Sequence, residues 1–109
     1  MANQMHLPAL FNALSDPTRF AVVEQLVNGS ASVSELAAPH QMAGPSFLKH
    51  LNVLEQAGLV TSEKAGRVRT VSLAPGALQT IEDWVRAHRS NWERRLDRLG
   101  KFLEEDDKS

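Results

Sequence analysis

Apolar residues along the first part of the chain follow a helical period. The pairs Asp16-Pro17 and Asn28-Gly29 enclose residues 17–27. Aspartate caps the free amides at a helix start, proline suits the first turn, and glycine suits the residue after the end. The pattern therefore predicts a helix over residues 17–27. Its predicted buried face consists of four apolar side chains: Phe20, Val23, Leu26 and Val27.

Three further helices are predicted around this one. Residues 4–14 form the first, because Pro8 is tolerated in an opening turn. Ser32 and Glu35 have the spacing of a capping box and begin a short helix that Pro39 limits. The pair Gly44-Pro45 begins the next, which ends at Gly58 and buries Phe47, Leu51 and Leu54. About five residues separate these last two helices, as in a helix-turn-helix.

Beyond Gly58 the apolar period changes from helical to alternating. Residues 59–63 and 68–73 alternate as antiparallel strands do. Between them lies Lys64-Ala65-Gly66-Arg67, where Gly66 can adopt a positive φ. The pattern predicts a short hairpin with a basic tip, which is a wing.

The rest of the chain predicts one long helix over residues 77–103, about 40 Å long at 1.5 Å per residue. An apolar stripe with spacings of three and four runs along it, formed by Leu78, Ile81, Val85, His88, Trp92, Leu96, Leu99 and Leu103. One small domain would bury only part of this stripe, so we expect the remainder to meet a second copy of the chain. The alternative is a stripe packed within one chain and extended by a frayed end.

The predicted fold class is mainly α with a small β-hairpin, a winged helix-turn-helix with a long C-terminal dimerisation helix. The 109 residues suit a single domain, assigned to residues 1–103, followed by an acidic disordered tail at residues 104–109. The chain contains no cysteine. Disulfides, thiolate zinc sites and cysteine redox sensing are therefore excluded.

The net charge of −1 is an average over unlike segments. Residues 49–69 carry +2 and residues 86–101 carry +4, while residues 1–48, residues 70–85 and the last eight residues are net negative. Such blocks are compatible with a local nucleic-acid footprint, although a charged run is more often a solvated helix face.

The helix that begins at Gly44-Pro45 has a polar face opposite its apolar stripe. The candidate contacts to phosphates and base edges on that helix are Pro45, Ser46, Lys49, His50 and Asn52. Leu48 has two interpretations, as core filler or as a contact to a thymine methyl group.

The wing contributes two further candidates for phosphate or minor-groove contact, Arg67 and Arg69. Arg69 has an alternative role as the cross-strand partner of a carboxylate such as Glu63. The basic helix, the capped helix before it and the basic hairpin after it together favour DNA binding over a solvated face.

Three stretches of the chain carry a family resemblance. They are Leu14-Ser15-Asp16-Pro17-Thr18-Arg19, Ser34-Glu35-Leu36-Ala37, and the run from Lys49-His50-Leu51 to Ala57-Gly58-Leu59-Val60. Together they resemble the ArsR-type winged helix-turn-helix transcriptional repressors, over about residues 7–75. The resemblance implies a dimer with helices from both chain ends at the interface, the fourth helix in the major groove, and a wing beside it.

The resemblance also assigns residues. Relatives have serine or proline where Pro45 stands, a basic residue at Lys49 and histidine at His50, so these are implied DNA contacts. Gly44 and Leu48 stand where relatives are often polar. The implied dimer interface comprises Leu7, Leu10, Phe11, Leu78, Ile81, Val85, His88, Trp92, Leu96 and Leu99.

Many relatives sense metals through cysteines in the third helix or through Asp and His side chains in the last. This chain has no thiol, and the offsets of Asp83 and Glu93 from His88 do not place all three on one helix face. A packed or partner-bonded role suits His88 better. The chain is similar to a branch without the metal sites, so we expect no cofactor.

The main hypothesis is a cytoplasmic, homodimeric repressor that binds an inverted-repeat operator in double-stranded DNA and responds to an unknown small-molecule inducer. The alternative is a protein-interaction module that uses the winged helix as a scaffold, without DNA binding. An enzyme is not expected, because the sequence has no nucleophile elbow, phosphate loop or paired acid and base. A membrane partner is not expected either.

Overall fold

The computed structural model describes the backbone over residues 6–108 and the side chains over residues 6–105. This range contains helices α1 (Leu7–Leu14), α2 (Pro17–Leu26), α3 (Val33–Ala37), α4 (Gly44–Gln56) and α5 (Ala77–Lys108), and strands β1 (Ala31–Ser32), β2 (Val60–Ala65) and β3 (Val68–Leu73). The mainly helical fold with a hairpin and a long last helix is confirmed. Residues 4 and 5 of the predicted first helix lie outside the described range.

The helix starts follow the capping chemistry that the sequence predicts. One carboxylate oxygen of Asp16 accepts hydrogen bonds from the backbone N–H groups of Thr18 and Arg19, at 2.9 and 3.0 Å. Ser32 and Glu35 form the complete capping box, each side chain accepting from the backbone N–H of the other residue. These bonds satisfy orphan amides and set the starting points of α2 and α3.

Helix α4 ends where glycine permits a left-handed residue. Gly58 has φ of 87°, and the N–H of Leu59 donates to the carbonyl of Leu54 over 3.0 Å. This pattern turns the chain directly from α4 into β2. Helix α4, which is the predicted DNA-contacting or recognition helix, and the wing are thereby joined by a short, defined connection.

The three strands form an antiparallel sheet in the order β1-β3-β2. Val60 pairs with Leu73 and Ala65 with Val68, so Gly66 and Arg67 make a two-residue hairpin turn with Gly66 at φ of 62°. The wing is confirmed. Strand β1 is an addition that the sequence does not predict, since two residues are too few to show alternation.

The core joins α1, α2, α3, α4 and the sheet. Its largest fully buried side chains are Phe47, Leu36, Leu51, Leu54, Leu59, Val22 and Val71. The predicted buried face of α2 is partly wrong: Phe20 and Val27 are 50% and 58% exposed, whereas Val22, Val23 and Leu26 are buried. Apolar residues surround much of α2, and contacts with α1 and α4 select a face that periodicity alone cannot.

Helix α5 extends far beyond this core. The chain has a radius of gyration of 19.9 Å and a longest dimension of 74 Å, compared with roughly 13 Å for a compact chain of this length. The helix continues to Lys108 instead of ending near Leu103, because Glu104 and Glu105 are good helix formers and no proline or glycine follows Leu103. The assignment of a separate tail stays a prediction.

Candidate nucleic-acid interface

Helix α4 presents a polar surface on the side opposite its buried stripe. Phe47, Leu51 and Leu54 are buried. The candidate contact residues Pro45, Ser46, Lys49 and Asn52 are all exposed. Four of the five residues predicted on this helix therefore share one accessible surface.

His50, the fifth, is held by the start of α2. Its Nδ1 lies 3.3 Å from an Arg19 guanidinium nitrogen and 3.6 Å from Oδ2 of Asp16. Arg19 also donates to the carbonyl oxygens of Ala13 and Asn12, at 2.8 and 3.3 Å. These contacts join the end of α1, the start of α2 and the middle of α4. His50 therefore orients the recognition helix from the side that faces α2.

The carboxylate in this cluster is stabilised in its charged form. The backbone N–H of Arg19 lowers the pKa of Asp16 below its ordinary value, although burial opposes this effect. The neighbouring His50 ring and the Thr18 N–H also lower the pKa. Asp16 therefore stays ionised under neutral conditions and caps α2 as a carboxylate.

Arg69 joins the wing to the recognition helix. Its Nη2 donates to Oε2 of Glu55 over 2.7 Å, and its Nε donates to Oγ of Ser62 over 3.1 Å. The Ser62 hydroxyl in turn donates to Oε1 of Glu55 over 3.0 Å. The carboxylate partner is thus Glu55 on α4 and not the predicted cross-strand Glu63, because Arg69 pairs with Lys64 and Glu63 pairs with Thr70, which places Glu63 on the other face of the sheet.

Two cations at the tip of the wing point to solvent. Lys64 and Arg67 are both exposed, on either side of Gly66. With Lys49 on α4, they form the basic rim of the surface. The sequence places Lys64 in the basic hairpin tip, but Lys64 is not among the predicted DNA contacts.

The residues predicted at the dimer interface fall into two groups. Leu7 and Leu10 lie in the core of the single chain, and Ile81 packs against that core. The remaining members are exposed: Phe11, Leu78, Val85, His88, Trp92, Leu96 and Leu99. Trp92 is the most exposed of the large hydrophobic side chains in this second group, at 62%.

Aromatic contacts join the two terminal helices. The Phe11 and Trp84 rings meet edge to face with centroids 5.5 Å apart, and the Trp84 and His88 centroids are 4.6 Å apart. His88 therefore packs against the Trp84 ring. Within the described part of the chain, no group of three His, Asp or Glu side chains has the arrangement of a metal site.

The helix-turn-helix, the exposed polar face of α4 and the basic wing together define a winged helix-turn-helix DNA-binding protein. None of the helices over residues 6–108 is long and apolar enough to cross a membrane. Comparisons with known proteins give the family within this class.

Residues 14–63 match the family model described as a helix-turn-helix domain. The chain is 42% identical over 82 residues to the HTH-type transcriptional regulator Rv2034 of Mycobacterium tuberculosis, a match that covers 71% of this chain and 77% of that protein. It is 32% identical over 76 residues to the transcriptional repressor SdpR of Bacillus subtilis, covering 70% and 84% of the two chains.

The crystal structure of the ArsR family transcriptional regulator RHA00566 superposes with a TM-score of 0.77 at 44% identity, covering 81% of this chain and 97% of that one. The chain belongs to the ArsR family of transcriptional regulators. It is a DNA-binding regulator, and the protein-interaction alternative is not favoured.

Proposed function

We propose that this chain is a homodimeric repressor that binds an inverted-repeat operator. The observation that carries the proposal is the exposed apolar stripe on α5, which extends beyond the core that one chain can build. A second copy would cover that stripe, since contiguous exposed apolar surface marks an association site. Two-fold symmetry would then present two α4 helices to one face of a duplex.

The charged surfaces support DNA as the ligand of that dimer. Three exposed cations, Lys49, Lys64 and Arg67, lie on α4 and the wing. Lysine and arginine side chains supply most of the attraction to phosphates. The repressor role is proposed by analogy with the Bacillus subtilis relative SdpR, a transcriptional repressor.

The proposed interface residues have unequal roles. Phe11, Leu78 and Val85 lie near the core end of α5, while Trp92, Leu96 and Leu99 lie on the part that extends beyond it. The second group would gain most by association, because it has no partner surface within the described part of its own chain. A cytoplasmic location and release by a small molecule stay predictions.

Sedimentation equilibrium tests this proposal, with the protein alone and with a duplex selected from a random pool. We expect two chains in the free protein and two chains per duplex. One chain in the free protein and one per duplex would refute the dimer. A larger assembly with a different protein and no duplex binding would support the interaction-module alternative.

A further inference from the structure

Leu48 is an exposed apolar side chain on the recognition helix. It is 46% exposed, so its interpretation as core filler is wrong. It follows the buried Phe47 by one residue, a rotation of about 100° that carries it out of the core and onto the flank of α4. Glu55, seven residues later, lies on the same flank and contacts the wing through Arg69.

The flank that carries Leu48 faces a cleft. The cleft has a volume of about 420 Å³ and lies between α3, α4 and the wing. Leu48 and Val68 contribute apolar surface to it, while Lys64, Arg67 and Ser34 contribute cations and a hydroxyl. An apolar patch with a basic rim requires a partner that is both anionic at its edges and apolar at one point.

Duplex DNA meets that description in its major groove. Phosphates line both edges of the groove, and the C5-methyl of thymine is an apolar group on the groove floor. Residues in the first turns of a recognition helix are those that reach base edges. Leu48 lies in the second turn of α4, between the basic tip of the wing and Lys49.

We propose that Leu48 is a specificity-determining residue that reads a thymine methyl group in each half-site. The inference rests on the proposed DNA-binding function and adds a base preference to it. Leucine offers no hydrogen bond, so it selects by apolar contact: thymine is preferred over cytosine, whose groove edge presents an amino donor and no methyl. Lys64, Arg67 and Ser34 then bind the flanking phosphates.

Deoxyuridine scanning tests the proposal directly. Deoxyuridine pairs with adenine as thymine does and lacks only the methyl group. Each thymine of a selected duplex is replaced in turn, and the affinity is measured by fluorescence anisotropy. We expect one position per half-site to weaken binding about fourfold, the value for loss of one buried methyl group. Replacements elsewhere should leave affinity unchanged.

The Leu48→Ala variant should bind the thymine and deoxyuridine duplexes equally. Val53→Ala is the matched control, because Val53 is an exposed apolar residue on the opposite flank of α4, and it should keep the fourfold difference. Circular dichroism checks folding, and Leu48→Ser gives a second variant that should also lose the difference.

Three results would overturn the proposal. One is equal affinity of the wild-type protein for every substituted duplex, and another is a fourfold difference that persists in Leu48→Ala. The third is a Leu48 surface that mediates contact between copies, seen as a change of oligomeric state in Leu48→Ala without any change in base preference. Failure to enrich any duplex would overturn the proposed DNA-binding function. A selected duplex whose affinity depends on no thymine methyl group would overturn only the proposal for Leu48.

Discussion

Arg69 on β3 and Glu55 on α4 form an ion pair 2.7 Å long that joins the wing to the recognition helix. Both side chains are about one-third exposed, at 33% and 37%, and Ser62 closes a hydrogen-bonded triangle with them. The cation therefore has its charge satisfied inside the protein. We expect Arg69 to position the wing and to contribute little to phosphate binding.

The Glu55→Gln variant tests this positioning role. A partly exposed pair is worth about 0.5–1 kcal/mol, so loss of the pair should weaken duplex binding about twofold to fivefold. Removing a negative charge would by itself strengthen binding to an anion. The control is Glu63→Gln, which removes the same charge from β2 and should strengthen binding slightly. Stronger binding by both variants would show that the ion pair does not position the wing.

Arg67 at the wing tip should contact phosphate. Arg67→Ala should weaken binding to all duplexes and reduce the slope of log K against log salt by about one unit for each protomer. Arg67→Lys keeps the charge and should keep the slope. Titrations at several salt concentrations measure both, and an unchanged slope in Arg67→Ala would remove the wing tip from the interface.

Trp92 should lie at the centre of the dimer interface. Trp92→Glu buries a charge if the stripe is covered by a second copy, so we expect monomers in sedimentation equilibrium and a loss of operator affinity. Ser90→Glu adds the same charge on the opposite face of α5 and should remain dimeric. A dimeric Trp92→Glu with wild-type affinity would show that another surface forms the interface.

Asp16 should make stability depend on acid pH. Its pKa is lower in the folded chain than its ordinary value of 3.8, so the unfolded chain binds more protons between the two values. The Asp16 carboxylate therefore makes its full contribution to the free energy of unfolding above about pH 5. This contribution is lost as the pH falls below the ordinary pKa of 3.8 toward the folded-state pKa.

Asp16→Asn keeps an effective helix cap and removes the charge. Urea unfolding at pH 7 and in acid, at one protein concentration, should show a smaller loss of stability for this variant than for the wild type. An equal loss in both proteins would mean that Asp16 does not carry the pH dependence.

Local chemistry explains why much of the fold is predictable. The caps at Asp16 and Ser32 and the turn at Gly66 depend on residues close in sequence, and the structure confirms each of them. The buried stripe of α4 also follows directly from its period. The face of α2 does not, because Phe20 and Val27 share the apolar character of the buried Val22.

The contacts that organise the interface are the least predictable part. His50 meets Asp16 across 34 positions of the chain, and Arg69 meets Glu55 on a different element from its strand partner. Neither pairing follows a helical or alternating period. The exposure of Leu48 likewise depends on the rotation of α4 about its own axis relative to the core. The helical pattern places Leu48 on a flank of α4 but does not determine how much of its side chain is buried.

Selection of bound duplexes from a random pool is the most direct test of the central claim, that two chains present paired recognition helices to DNA. We expect enrichment of an imperfect inverted repeat whose half-site centres are about 34–36 Å apart, one turn of the duplex. Recovery of no common sequence by the folded dimer, or of a single site without two-fold symmetry, would contradict the account.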